Sequence, residues 1–346
     1  MKKRGYATIT FERPPVIGAH AGIVGPKEGE GPLGKYFDQI YEDPMMGEKT
    51  WEQAESALQR KAVSAVLDKG GLCAGNVDYF FAGDLLGQSI ASSFGLEGFC
   101  RPVFGLYGAC ATIGEALILS AICTASDMAQ TAMAVTSSHF ASAERQFRFP
   151  LEYGSQRPLS ATWTVTGSGA FLVASGKAAG GNLPAASHAR ITAVTPGQIV
   201  DMGVRDSMNM GACMAPAACH TIETHFRETG TGPDDFDAII TGDLGYVGQD
   251  ILIGLMQKKG FDLKQKHMDC GIEIFDRSTQ DTHSGGSGCG CSAAVLSAFI
   301  LPKLETGQWK RVLFVPTGAL LSPVSFNEGK GVPGIAHGIK LEAPGA

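Results

Sequence analysis

Apolar residues along the chain alternate between short runs of strand length and longer stretches with helical spacing, a pattern expected of sheets covered by helices. Gly5 to Val24 reads as a strand-like opening with turns. A Gly-, Pro- and charge-rich excursion runs from Gly25 to Lys49, in which Gly29, Gly31, Pro32 and Gly34 argue against regular structure at the start. Its Tyr36, Phe37, Ile40 and Tyr41 give it something to bury against a partner or its own domain. Thr50-Trp51-Glu52-Gln53 predicts a helix start, with Thr50 as N-cap and Gln53 at the capping-box position, and helical spacing continues from Ala54 to Leu67 before Gly70-Gly71. Pro102 to Leu106 predicts a buried strand, and Ala111 to Ala125 a buried helix.

The pattern then repeats. Val77-Asp78-Tyr79-Phe80-Phe81-Ala82-Gly83-Asp84, continuing to Gly87-Gln88, is echoed about 160 residues later by Phe236-Asp237-Ala238-Ile239-Ile240-Thr241-Gly242-Asp243, with Gly248-Gln249 beyond it. A helical stretch precedes each copy, Trp51 to Leu67 in the first and Gly211 to Glu228 in the second. Downstream of each lies a small-residue turn with cysteine and then an apolar helix, Gly108 to Ala125 and Gly285 to Leu304. A strand comes after each helix, Ala132 to Thr136 and Val312 to Val315. Two copies of one α/β unit are therefore expected, residues 1–185 and 186–346, with the two cysteine-bearing helices packed together at the centre.

At 346 residues and 44% hydrophobic content the chain can bury a substantial core. A net charge of −6, without Lys/Arg clusters beyond the first four residues, gives no footprint for nucleic acid or an anionic membrane surface. The 9 cysteines lack metal-ligand spacing and read as free thiols in a reducing compartment; no metal and no cofactor is expected. Lys2, Lys3 and Arg4 resemble the start of a secretory signal, but Glu12, Arg13, Pro14 and Pro15 break the chain before an apolar core develops. No stretch approaches the ~20 apolar residues that cross a bilayer, so the expectation is a soluble protein.

Candidate chemistry centres on Tyr107-Gly108-Ala109-Cys110-Ala111-Thr112. A cysteine at the first turn of a helix meets unpaired N–H groups and aligned peptide dipoles, which lower a thiol pKa and also suit a bound carboxylate. Cys110 is equally compatible with a small buried thiol. His283, in Asp281-Thr282-His283-Ser284-Gly285-Gly286, is the candidate partner, and His139 comes directly after the strand that ends at Ser138. His220 and His225 lie five apart, off the spacing of a two-histidine metal face, and read as structural or solvated. Met202, Met208, Met210 and Met214 fit either a loop over a pocket or core filling.

The duplicated pattern, the Cys110 turn, the segment Thr162 to Val173 and the Asp281 to Gly288 loop resemble the thiolase-like superfamily of thiolases and condensing enzymes. That resemblance implies a duplicated, five-layered αβαβα fold, a nucleophile at Cys110 and a homodimer. Condensing enzymes carry a basic residue where this chain reads Thr241-Gly242-Asp243, and thiolases a second cysteine where it reads Val315-Pro316-Thr317-Gly318. The catalytic set is thus incomplete, and Cys110 with His283 is the alternative that keeps acyl transfer open.

More specific runs resemble the stage V sporulation protein AD family of spore-forming bacteria. They are Lys27 to Leu33, Thr50 to Glu55, Gly83 to Leu86, Leu106 to Thr112, Ser137 to Phe140, Glu144 to Arg148 and Asp281 to Gly285. This resemblance implies a non-enzymatic protein that binds dipicolinic acid, free or as its calcium complex, and takes part in its uptake into the developing spore. Membrane proteins of the same operon are the implied partners, with the chain soluble or peripheral at the spore inner membrane. A flat dianion calls for backbone donors, arginine and an apolar wall. The expected binding set is Cys110, His283, His139, Arg145, Thr166 and Gly286, with Arg148 and Arg157 as further arginine candidates.

Overall fold

A computed structural model of the chain describes residues 1–147, 156–176 and 188–345. Its main elements in chain order are β1 (Val16–Val24), α1 (Trp51–Gly70), β2 (Tyr79–Gly83), β3 (Val103–Leu106), α2 (Thr112–Ala125), β4 (Thr131–Ser138), β5 (Gly167–Ala174) and β6 (Arg190–Thr195). The second half continues with α3 (Met210–Thr229), β7 (Ala238–Thr241), α4 (Gly245–Lys258), β8 (His267–Asp269), α5 (Cys289–Val295), β9 (Arg311–Val315) and β10 (Gly338–Glu342).

The duplication governs the topology. In the first half the strand order is β1-β5-β4-β2-β3, and in the second it is β6-β10-β9-β7-β8. In each half the three strands farthest from the junction pair parallel, and the remaining neighbours pair antiparallel. The halves meet edge to edge through antiparallel pairs, Arg190 with Val16, Ala193 with Thr10 and Val194 with Ile9. The boundary expected at 185/186 falls outside the described residues.

Period-2 alternation on the strands separates three cores. On the outer face of the first sheet, Phe80, Met133, Val135 and Leu172 pack with Leu58, Ala62, Val63 and Val66 of α1. Their neighbours Phe81, Ala134, Phe171 and Val173 turn inward, joining Ile113 and Leu117 of α2, Ala293 and Val295 of α5, and Ile240, Phe314 and Leu341 of the second sheet. Ile239, Leu313 and Val315 face outward again, against Ala218 and Ile222 of α3 and Leu252 and Met256 of α4. The result is helix, sheet, helix pair, sheet, helix: the five-layered thiolase-like fold. At the centre α5 lies so close to β5 that a Cβ on Gly169 would sit 2.6 Å from the Ala293 carbonyl.

Local signals behave as the sequence indicates at α1. The Thr50 side chain accepts from the Gln53 N–H at 3.2 Å, and Gly71 closes the helix at φ +61°. Three expectations need correction. β3 is an exposed edge strand, with Val103 44% and Phe104 52% exposed, because among the described residues no strand pairs with its outer edge. The excursion does hold regular structure at its start, a helical turn at Pro26–Gly29, because buried Glu28 anchors it by accepting from the Thr166 N–H at 3.0 Å. The helix expected from Gly285 to Leu304 begins only at Cys289, and five residues, Leu296–Ile300, adopt π geometry before it ends at Glu305. Gly285 and Gly286 belong instead to an extended segment that pairs with Trp163 and Thr164.

Candidate functional site

Two Gly-Asp turns and two cysteine-headed helices converge at the centre of the molecule. Cys110 comes directly after Ala109, which is held at φ +51°, and a single 3-10 turn, Ala109–Ala111, delivers the chain into α2. A left-handed alanine is an uncommon, strained conformation. It sets the Cys110 side chain at the edge of a cavity of about 250 Å³.

The cavity walls are mainly apolar: Leu85, Ala143, Phe147, Met210, Ala319, Leu320 and Leu321. Tyr107, Cys110, Glu144, Thr164, Ser287 and Ser322 bring the polar atoms. The Tyr107 hydroxyl donates to the Leu85 carbonyl at 2.9 Å, and the Thr164 hydroxyl to Glu144 at 3.3 Å. At this size the space suits a single ring or a short chain rather than a large cofactor.

Behind Cys110 lies Asp243, fully buried at the end of β7. Its Oδ1 accepts from the Thr317 hydroxyl at 2.7 Å and its Oδ2 from the Gly288 N–H at 3.1 Å. Cys110 lies close enough to feel the charge of the same carboxyl. Burial pushes the Asp243 carboxyl up to about 7, against the opposing pull of Cys110, Thr317 and Gly288. The Cys110 thiol is itself pushed well above its ordinary value, first by burial and then by the Asp243 charge. The thiolate expected from the helix N-terminus is thus not favoured, because the field of a facing carboxyl and the loss of solvent outweigh the dipole.

The second half repeats the motif with the partners crossed. Cys289, at the head of α5, is raised by burial and then by Asp84 and Glu55 of the first half. Asp84 is held by the Leu86 and Ser92 N–H groups, each at 2.8 Å, and by the Ser92 hydroxyl at 2.6 Å. Glu55 accepts from Ser137 at 3.0 Å and Ser142 at 2.6 Å. Each half therefore turns its Gly-Asp carboxyl toward the cysteine of the other.

Among the described residues expected at the site, Cys110 alone lines this cavity. His283 sits at φ +54°, its ring donating from Nδ1 to the Pro158 carbonyl at 2.9 Å, with Nε2 3.0 Å from Asp281. Arg157 bonds the same aspartate at 2.8 Å and lies over the Trp163 ring. His139 is buried against Trp51, accepting at Nδ1 from the Ala141 N–H and donating from Nε2 to the Pro44 carbonyl at 2.8 Å. That pattern is a neutral imidazole, and burial lowers its pKa further. Arg145 is exposed on the helix Phe140–Phe147, and Arg148 lies outside the described residues. Thr166 binds Glu28 through its N–H and accepts the Phe140 N–H at its hydroxyl, while Gly286 packs under Ile274 and Phe275. In strand alternation the neighbours Thr164 and Ser287 reach the cavity instead, since Thr166 is spent on the excursion and Gly286 faces the core.

Sequence reasoning missed Asp243, Tyr107, Glu144, Thr164 and Ser287. The sequence marks Asp243 only as the place where a base is missing; its residue type at that strand end is the signal that could have found it. Of the methionines, Met210 lines the cavity, Met214 is core and Met202 is exposed. His225 is buried against Thr195 at 2.8 Å. Among the described residues no group of three or more His, Cys, Asp or Glu could hold a metal ion, and no helix is long and apolar enough to cross a membrane.

Solved structures with the same fold include AbyA1, a tetronic acid condensing enzyme, at a TM-score of 0.62 and 16% identity over 95% of this chain and 100% of that one. Xanthomonas campestris OleA bound with cerulenin matches at 0.59 and 15%, over 96% and 97% of the two chains. At such identities the likeness establishes the fold alone. The stage V sporulation protein AD of Bacillus subtilis (strain 168) is 40% identical over 345 residues, covering 100% of this chain and 99% of that protein. The family model for stage V sporulation protein AD matches residues 5–342. With the Cys110 turn, the Gly-Asp turns and the anchored excursion all inside that span, the chain belongs to the stage V sporulation protein AD family.

Proposed function

We propose that this protein binds dipicolinic acid, free or as its calcium complex, in the Cys110 cavity, in support of dipicolinate uptake into the developing spore, and that it does so without catalysis. The observation that carries the reading is a ring-sized cavity headed by a cysteine whose ionisation is opposed by Asp243. Leu85, Phe147 and Leu321 offer apolar faces to a flat ring, and Tyr107, Thr164 and Ser287 offer hydroxyls to its carboxyl oxygens. No Arg or Lys lines the cavity among the described residues. The calcium complex, whose metal already balances the two carboxylates, suits such a lining. Exposed Val103, Phe104 and Tyr107 on and beside the β3 edge support a homodimer formed along that edge. Membrane proteins of the same operon would supply attachment to the spore inner membrane.

A second reading, acyl transfer through Cys110, is favoured by the apolar cavity beside a helix-heading cysteine. Calorimetric titration with dipicolinic acid, with and without calcium, separates the two when phthalic acid and the Cys110→Ala variant are run alongside. Saturable binding that phthalate fails to reproduce, with no mass added to Cys110 by acyl-thioesters, supports the binding protein. Absence of heat together with a stable acyl group on Cys110 establishes the transferase.

A further inference from the structure

The polar atoms of the Cys110 cavity differ in what they have left to give a ligand. The Tyr107 hydroxyl hydrogen goes to the Leu85 carbonyl, which can only accept, and the Thr164 hydroxyl hydrogen goes to Glu144. Both must break those bonds before donating to a ligand, but both keep lone pairs. Ser322 is the opposite case: its oxygen accepts the Ser325 N–H at 3.3 Å, which leaves its hydrogen for a ligand. Glu144, buried on the helix Phe140–Phe147, is the one charged side chain among the described residues that line the cavity. An ionised carboxylate has about four lone-pair sites, and Thr164 takes one of them.

We infer that Glu144, with the Thr164 hydroxyl oxygen beside it, is the calcium-contacting group of the cavity when calcium dipicolinate binds. This rests on the dipicolinate reading above and assigns the residue that meets the metal. Calcium takes roughly six to eight ligands and prefers oxygen. Dipicolinate fills about three of those positions with two carboxylate oxygens and the ring nitrogen, so the bound cation still calls for oxygens from outside its chelator. Glu144 and Thr164 present them on adjoining elements, the helix Phe140–Phe147 and the segment Trp163–Thr164. Toward the free dianion the same carboxylate acts with the wrong sign, since like charges repel most strongly where water is scarce. Among the described residues no group of three or more acidic, histidine or cysteine side chains could hold a metal, so the calcium arrives with its chelator.

Glu144→Gln keeps the shape and one amide oxygen while removing the charge. The ratio of affinities, calcium dipicolinate over free dipicolinate, should then fall at least ~10-fold, with binding of the free dianion undiminished. Calorimetry measures this on the wild type and Glu144→Gln, with calcium dipicolinate, with dipicolinate in a calcium chelator, and with calcium alone, which should give no saturable heat. Terbium supplies a direct view of the metal. It is a hard cation close to calcium in size, it luminesces through the dipicolinate ring, and its decay in H2O against D2O counts the waters it holds. Terbium dipicolinate should lose coordinated water on binding the wild type and lose less on binding Glu144→Gln.

A variant that keeps the wild-type affinity ratio overturns the inference while leaving the dipicolinate reading intact. So does terbium dipicolinate that binds the wild type with all its waters retained, a result that needs no variant to fold. If neither form of dipicolinate gives heat with the wild type, the ligand reading itself fails and takes the assignment of Glu144 with it.

Discussion

Glu28 offers a direct test of how the 25–49 excursion is fastened. It is fully buried, its Oε1 accepts from the Thr166 N–H at 3.0 Å, and its Oε2 has no partner. Burial pushes this carboxyl from an ordinary 4.5 up to about 7, with the Thr166 bond opposing. Because the folded value is the higher one, the folded state binds more protons, and stability is lost as pH rises from 4.5 through 7. At about 1.4 kcal/mol per pH unit, the gap between 4.5 and about 7 amounts to roughly 3 kcal/mol. An unfolding entropy of about 2.1 cal/mol/K per residue gives roughly 0.7 kcal/mol/K for this chain, so the effect on Tm is ~4 °C. Glu28→Gln keeps the shape and removes the charge. Scanning calorimetry from pH 4.5 to 8 should show the variant gaining ~4 °C on the wild type as pH rises. Glu55, Asp84 and Asp243 titrate in both proteins and drop out of the comparison. A Tm difference that stays constant with pH would refute the argument that Glu28 is buried near-neutral.

Gly288→Ala should lower Tm by ~3 °C or more, since φ is +108° there and the new Cβ would meet the Ser138 hydroxyl at 2.5 Å; an unchanged melting curve contradicts that packing. Phe104→Asp puts a charge on the exposed β3 edge and is expected to convert a dimer to monomer in sedimentation experiments, whereas a variant with wild-type mass places the interface elsewhere. Iodoacetamide at pH 7.5, with peptide mapping afterwards, should alkylate exposed Cys73 and Cys100 at least ~10-fold faster than buried Cys110, whose thiolate is disfavoured. Cys110 reacting first would overturn the role given to Asp243.

Much of the architecture is legible in the sequence. The repeated Asp, apolar strand, Gly-Asp turn marks topologically equivalent strands, Tyr79–Gly83 and Ala238–Thr241, each fourth from the junction between the halves. Thr50 and Gly71 bracket α1 because capping is a property of a few neighbouring residues. Where the sequence misleads, the cause is non-local. Pro102 to Leu106 has the composition of a buried strand, yet whether a strand is covered depends on its place in the sheet. Gly29 to Gly34 reads as irregular because the partner that orders the preceding turn, Thr166, lies more than a hundred residues away.

The sequence by itself determined the duplication, the layers, the family and the placement of Cys110 at a helix head, since periodicity and short-range motifs encode these. Only the tertiary structure decided what surrounds that cysteine. A thiol's ionisation is set by the charges and solvent within a few ångströms, and Asp243 comes from the other half of the chain. The same holds for His139 and His283, whose ring nitrogens are engaged by Pro44, Ala141, Pro158 and Asp281. Residue type names the chemistry a side chain can perform, and three-dimensional neighbours decide whether it is free to perform it.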